Sequence, residues 1–401
     1  MDLAFIQPLI KKNNKKIVFL ILDGLGGLPQ EDGGLTELET AVTPHLDNLA
    51  KKGICGLQQP VLPAITPGSG PGHLGVFGYD PVKYQIGRGV LEGLGIDFEL
   101  RSNDVAARGN FCTLDEQGNI TDRRAGRIST EKNKELCTLL QTIELPEVQL
   151  FVKPVKEHRL LVVFRGDGLS EHLEDTDPQD IGKKPLEPKG MSSEDNPTAE
   201  LVKQFLEQAK DILSDHHPAN MVLLRGFSQK PQWPSMNEAF GLKSAAIAGY
   251  PMYRGLAKLL GMTVLETSAE VEHEFKVLKQ QWDNYDFFYV HVKGTDSAGE
   301  DGDFSRKVQV IETVDQYLPQ LLSVRPDVIV VTGDHSTPSK LKKHSWHPVP
   351  VLLWSKHCRA DSVNHFGERD CIAGGLGPRF PAVDLVPLSL AHAQRLEKFG
   401  A

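Results

Sequence analysis

Three apolar runs in this chain stop abruptly on an acidic residue. KIVFLILDG places Asp23 directly after one run, YDFFYVHVKGTD places Asp296 just beyond a second, and PDVIVVTGDHS places Asp334 and His335 beyond a third. Runs that are apolar throughout, rather than alternating, read as strands buried on both faces, the pattern of a parallel sheet covered by helices. Helical segments lie between them. TPHLDNLAKKG has Thr43 as the expected N-cap, Pro44 in the first turn and Gly53 as the stop, and FSRKVQVIETVDQYLPQLL repeats apolar residues at helical spacing. The alternation predicts an α/β fold with a doubly wound sheet. In such sheets functional groups gather beyond the carboxyl ends of the strands. One Asp in that position is more often a cap or turn former; three strands delivering acid or imidazole to the same edge make a site.

With 401 residues the chain is too long for one ordinary core and predicts two domains. Residues 101–225 carry their own strand candidates (ARGNFCTL, HRLLVVFRG, NMVLLRG) and a polar, Pro-rich stretch from Asp175 to Asn196 that reads as a surface loop. They are taken as a smaller α/β (α+β) domain inserted into a discontinuous core of residues 1–100 and 226–401. A formal net charge of -9 argues against nucleic acid or an anionic membrane as partner, while leaving room for a small anion bound by focused basic residues. The five cysteines are scattered without any CxxC, as expected for reduced, mostly buried thiols of a cytoplasmic protein. Ile17 to Leu22, although preceded by four lysines, is too short for a signal-peptide core or a membrane span and reads as a buried strand.

PAITPGSGPGHLGVFGYDP is a Pro/Gly turn with one hydroxyl, Ser69, at its centre. Its glycines let the backbone bend and approach a ligand, and a helix starting near His73 would turn N–H groups toward an anion. Gly/Ser-rich loops are usually only loops. This one gains weight from Asp23, Asp296, Asp334, His335 and His344, because a divalent cation lowers the pKa of a hydroxyl that is otherwise inert. Mixed oxygen and nitrogen donors suit Mn or Zn more than Ca.

The order of these motifs (DG after the first strand, GSGPGHL, KGTD, TGDHS, HSWHPVP) resembles the alkaline-phosphatase-like metalloenzymes. With TPHLDNLAKKG, GRGVLEGLG, ARGNF, TDRRAGRI, DTDPQ and GLKSAAIAGYP, the whole chain is similar to the archaeal-type cofactor-independent phosphoglycerate mutases. The resemblance implies an isomerase of glycolysis and gluconeogenesis, with Ser69 as the phosphorylated nucleophile and no need for 2,3-bisphosphoglycerate. It further implies two divalent metals (Mn, Zn, Co or Mg), one held by Asp23, Ser69, Asp334 and His335, the other by Asp296, His344 and the residue at position 300. That family usually has His where this chain has Glu300, which a hard divalent ion can still accept.

The implied substrate is a small phosphorylated carboxylic acid. TDRRAGRI concentrates Arg123, Arg124 and Arg127, and His158, Arg225, Arg254 and Lys293 are further substrate-binding candidates, with Arg159 and Arg165 nearby in sequence. A solvated basic patch is the plainer reading of such a cluster, but the chain is acidic overall. Three other functions compete. A phosphomonoesterase or a mutase of another metabolite would share the serine and the metals. A non-catalytic relative would follow from a metal site weakened at Glu300. A thiamine-diphosphate enzyme is suggested only by GDG at 166–168, and the Asn pair that should close such a motif is missing, so that cofactor is not expected.

Overall fold

The computed structural model describes residues 3–400, and its chain divides into two compact units, Met1–Gln85 with Trp233–Ala401, and Ile86–Gln232. The larger unit holds an eight-stranded sheet. Its strands, numbered along the whole chain, are β1 (Ile17–Leu22), β2 (Ile54–Gln59), β8 (Ser244–Ala248), β9 (Thr263–Leu265), β10 (Phe287–Val292), β11 (Val328–Thr332), β12 (Val349–Ser355) and β13 (Gly377–Pro381), in the order β13-β2-β12-β11-β1-β10-β8-β9. Every residue of β1, β10 and β11 is buried, as their unbroken apolar sequences require. β1 runs parallel to both β10 and β11, with Leu22 level with Val292 and Ile21 level with Thr332. The residues that follow these three strands therefore emerge side by side.

The sheet is mixed rather than purely parallel, because β12 is antiparallel to both β11 and β2. This reversal matters. A reversed strand begins at the edge where its neighbours end, so the segment leading into β12 arrives beside the segment leaving β11. Among the helices, Phe304–Leu322 forms as expected, with the Asp303 carboxylate accepting from Arg306 N–H (2.9 Å). Thr43 precedes the helix Pro44–Ala50 but makes no side-chain cap bond. That task falls to Asp315 of the long helix, whose carboxylate accepts from Leu46 N–H at 2.7 Å and His45 N–H at 3.2 Å.

The smaller unit is built on a wholly antiparallel sheet of β3 (Asp104–Leu114), β4 (Ile120–Asp122), β5 (Gln149–Lys156), β6 (Arg159–Arg165) and β7 (Met221–Gln229), ordered β4-β3-β6-β5 with β7 on β3. The helices Thr130–Leu140 and Asn196–Leu213 bury one apolar stripe each in a core separate from that of the larger unit. This unit is wider than the 101–225 expected. The helix Arg88–Gly95 packs on β3 and β7, with Gly89 so near the Ala106 carbonyl that a Cβ would come within 1.9 Å, and β7 runs on to Gln229. The start of the Asp175–Asn196 stretch is not a free surface loop either. Thr176 is buried, and its N–H donates to the Leu224 carbonyl (2.9 Å) while its Oγ1 accepts from Leu224 N–H (2.8 Å). Among the described residues all five cysteines are free thiols, four of them buried, and no helix is long and apolar enough to cross a membrane.

Candidate active site

Asp23 leaves β1, Asp334 and His335 leave β11, and Ser69 opens the helix Ser69–Val76 that follows β2. The helix begins at Ser69 rather than near His73, so the hydroxyl sits in its first turn. Gly72, one turn away from Gly68, lets this helix lie against the Asp334 backbone, where a Cβ would meet the carbonyl oxygen at 2.3 Å. The result is convergence on one ring nitrogen. His335 Nε2 stands 3.2 Å from Asp334 Oδ2, 3.4 Å from Asp23 Oδ1 and 3.3 Å from Ser69 Oγ. Both of those carboxylate oxygens are buried without a well-aligned hydrogen bond, although His73 Nδ1 lies 3.0 Å from Asp334 Oδ2, a costly arrangement that a bound cation would relieve.

The tautomer follows from the next shell. Thr337 O–H donates to Asp296 Oδ1 at 2.6 Å, so Thr337 Oγ1 can only accept from His335 Nδ1, 2.9 Å away. Nδ1 therefore carries the proton, and Nε2 turns a lone pair toward Asp23, Asp334 and Ser69. Burial also pushes the His335 imidazole below its ordinary pKa, despite the nearby Asp334, which favours the neutral ring a metal requires.

A second set lies alongside. Asp296 belongs to the helix Gly294–Asp301 after β10, and His344 comes from the segment that leads into the reversed β12. His344 Nδ1 donates to the Pro67 carbonyl (2.9 Å), leaving Nε2 free, 3.6 Å from Asp296 Oδ1 and 3.7 Å from Glu300 Oε1. Its ring stacks on that of His335 with centroids 3.7 Å apart. Glu300 lies at the rim, half exposed, and burial together with Asp296 raises its carboxyl pKa. His347, the other imidazole of the HSWHPVP turn, bonds to Ser345 and stacks on Trp346, outside both sets.

The carboxylates are held from behind. His291 Nε2 donates to Asp23 Oδ2 (2.9 Å), and Lys293 Nζ donates to Asp23 Oδ2 (3.2 Å), to Asp296 Oδ2 and to Tyr253 Oη (2.9 Å). Burial alone would raise the Asp23 carboxyl pKa. The His291 hydrogen bond and the Lys293 charge outweigh it and hold the group well below the usual carboxylate range. For Lys293 burial works toward the neutral form, but Asp23 and Asp296 keep it an ammonium with a raised pKa. Sequence reading missed His291, Tyr253 and His73; the last sits 2.9 Å from the Ser69 carbonyl and 3.0 Å from Asp334 Oδ2. The available signal was their presence inside motifs already singled out.

In the smaller unit the expected basic residues divide. Arg123 is taken up by the buried Asp177 through two hydrogen bonds of 2.7 and 3.0 Å, and Arg165 by the buried Asp104 through two of 2.7 Å. These two are tied to buried carboxylates of the fold. Arg124 and Arg127 are exposed on a turn where Ala125, Gly126 and Arg127 all have positive φ. Arg225 keeps looser company with Asp175 (3.4 Å) and Asp177 (3.7 Å). Arg254, in the larger unit, pairs with Glu266 at 3.1 Å.

Two arginines absent from the expected set, Arg88 and Arg108, complete a dense positive cluster. Burial and the charges of Arg159, Arg88 and Arg225 lower the Arg108 pKa, against the pull of Glu92 at 3.0 Å. Burial, then Arg159 and Arg124, push His158 down to about 4. Gly226 (φ +60°) permits this crowding, since a Cβ there would meet that of Arg88 at 2.6 Å. The GRG and ARG triplets were visible in the sequence, but nothing there placed them beside Arg225.

Comparison with known proteins shows what the chain is similar to. The sequence pattern of the family described as 2,3-bisphosphoglycerate-independent phosphoglycerate mutase matches residues 50–220. A protein of Aquifex aeolicus (strain VF5) named "Probable 2,3-bisphosphoglycerate-independent phosphoglycerate mutase" is 52% identical over 407 residues, covering 99% of each chain. The solved structure of the PH0037 protein from Pyrococcus horikoshii has a TM-score of 0.80 and 31% identity, over 97% of this chain and 100% of that one. The cofactor-independent phosphoglycerate mutase from Thermoplasma acidophilum DSM 1728 has a TM-score of 0.75 and 31% identity, over 94% and 100%.

Proposed function

The chain belongs to the 2,3-bisphosphoglycerate-independent phosphoglycerate mutase family, a family of isomerases, and on that premise we propose that it interconverts 3-phosphoglycerate and 2-phosphoglycerate by passing the phosphoryl group through Ser69. The observation that carries the reading is the position of Ser69 Oγ, 3.3 Å from the unprotonated His335 Nε2 and beside the buried oxygens of Asp23 and Asp334. Asp23, Ser69, Asp334 and His335 would hold one divalent cation, and Asp296, Glu300 and His344 the other; carboxylate-rich donors of this kind favour Mn or Mg over softer metals. Bound there, the cations would lower the pKa of the serine hydroxyl and neutralise charge on the transferring phosphoryl group.

The chain's own residues supply the rest. Ser69 Oγ gives up its proton and forms a bond to phosphorus as the bond from phosphorus to the substrate's C3 oxygen breaks; that oxygen takes up a proton, leaving phosphoserine and glycerate. The C2 hydroxyl of glycerate then takes the phosphoryl group back from Oγ. Lys293, with its protons on Asp23, Asp296 and Tyr253, stays charged and holds the two carboxylates in place for the cations. In the smaller unit, Arg88, Arg108, Arg159 and Arg225, with Arg124 and His158, form the group suited to a carboxylate and phosphate.

Brief exposure of Mn²⁺-loaded protein to 3-phosphoglycerate should add the mass of one phosphoryl group to the peptide containing Ser69, and Ser69→Ala should show neither that mass nor turnover. Parallel assays for 2-phosphoglycerate and for free phosphate decide the reaction type. Phosphate without 2-phosphoglycerate would mean a phosphomonoesterase.

A further inference from the structure

Lys307 is fully buried in the first turns of the helix Phe304–Leu322. The fold alone gives little reason for an ammonium there. A helix N-terminus disfavours positive charge, and a buried cation is costly unless all its protons are bonded. All three are. Lys307 Nζ donates to the Gly24 carbonyl at 2.9 Å, the Gly26 carbonyl at 3.0 Å and the Thr337 carbonyl at 2.9 Å. Those carbonyls belong to the two turns that carry the presumptive cation ligands. Gly24 follows Asp23, and its N–H donates to Asp334 Oδ1 (3.1 Å). Thr337 is the residue whose hydroxyl links His335 Nδ1 to Asp296 Oδ1.

The turns also bond directly, Thr337 N–H donating to the Gly24 and Gly26 carbonyls at 3.2 and 3.1 Å. Two more carboxylates, the buried Glu37 and the half-buried Glu368, bond the same loops. Glu368 accepts from Gly27 N–H (2.8 Å), and Glu37 accepts from Ser339 N–H (2.8 Å). Burial lowers the Lys307 pKa, and Glu37, Glu368, Asp296 and Asp23 act against it.

We propose that Lys307 is a positioning residue for the reaction: its ammonium cross-links the turn after β1 to the turn after β11, and so holds Asp23, Asp334, His335 and Asp296 in register for both cations at once. This rests on the cation sets of the proposed function, and Mn²⁺ binding tests it apart from turnover. By equilibrium dialysis, Lys307→Met should weaken binding of both Mn²⁺ ions by about 10-fold or more, the size seen when outer-shell partners of a metal site are lost. kcat should fall, KM for 3-phosphoglycerate should stay within about 2-fold because the arginine cluster is untouched, and excess Mn²⁺ should restore part of kcat.

A lower melting temperature with unchanged Mn²⁺ affinity would overturn the inference and leave Lys307 as packing alone. Should Lys307→Met fail to fold, Lys307→Gln, which keeps a donor but neither the charge nor all three bonds, tests the same cross-link. It should show a loss of Mn²⁺ affinity of the same kind, and unchanged affinity there would equally overturn the proposal. A wild type that binds no Mn²⁺ sinks the cation sets and this inference together; one that binds Mn²⁺ without mutase turnover sinks only the reaction.

Discussion

At the edge of the larger sheet the gathered charges are carboxylates, Asp23, Asp296, Asp334 and Glu300, with Lys293 as the ammonium set between two of them. In the smaller unit the gathered charges are guanidinium groups, with Glu92 shared between Arg108 (3.0 Å) and Arg159 (3.7 Å). The two regions also differ in how they assemble. Parallel strands deliver residues from distant parts of the chain to one edge, whereas antiparallel neighbours bring Arg108 and Arg225 level across a ladder. Each region carries an excess of one sign of charge that its own residues do not cancel. Such an excess is retained at a cost in stability, and it identifies what each region is built to receive. On the proposed function, divalent cations would complete the first and a phosphorylated carboxylate the second.

If the carboxylate edge exists to hold cations, Asp334→Asn should be the most damaging change, lowering kcat by roughly 10³-fold or more while KM for phosphoglycerate hardly moves. Equilibrium dialysis should show one Mn²⁺ lost. Glu300→Gln, at the rim of the second set, should cost only about 10-fold; equal losses would erase the distinction between the two sets. If the guanidinium cluster exists to hold the anion, Arg108→Met should do the converse. Loss of one charge-assisted contact should raise KM about 10- to 100-fold with Mn²⁺ stoichiometry intact, and a pure kcat effect would break the comparison.

The smallest effect concerns burial away from either cluster. Glu274 lies in the helix Val271–Gln280 of the larger unit, 1% exposed, and burial with the nearby Glu270 pushes its carboxyl up to about 9 from an ordinary 4.5. The folded chain therefore holds a proton there that the unfolded chain has released. The stability contributed by this group is complete below the unfolded value and declines as pH rises toward the folded one. Glu274→Gln should flatten the fall in melting temperature between pH 5 and 9, with turnover unaffected. An unchanged slope would show that Glu274 is ionised in the folded protein.

Much of the larger unit was legible because its strands are apolar on every residue, and such runs have few other ways to bury themselves. The positions of Asp23, Asp296, Asp334 and His335 followed from where those runs stopped. His344 was legible only as part of a motif, since its place depends on the reversal of β12, which local sequence does not encode. Thr43 was misjudged for a related reason. Its helix is capped by Asp315, a residue remote in sequence, and the local Thr lost to it. In the smaller unit, the pairing of Arg123 with Asp177 is invisible until the chain folds.

By itself, then, the amino-acid order determined which segments become buried strands and which polar residues end them, since both depend on neighbours close along the chain. Only the tertiary structure decided which charges are cancelled and which left over. Arg123 and Arg165 meet buried carboxylates while Arg88, Arg108, Arg159 and Arg225 crowd together, and Asp23 and Asp334 each keep an oxygen without a well-aligned hydrogen bond. Charge pairing depends on distances across several ångströms of packed protein, and those distances are set by strand order and direction rather than by spacing in sequence.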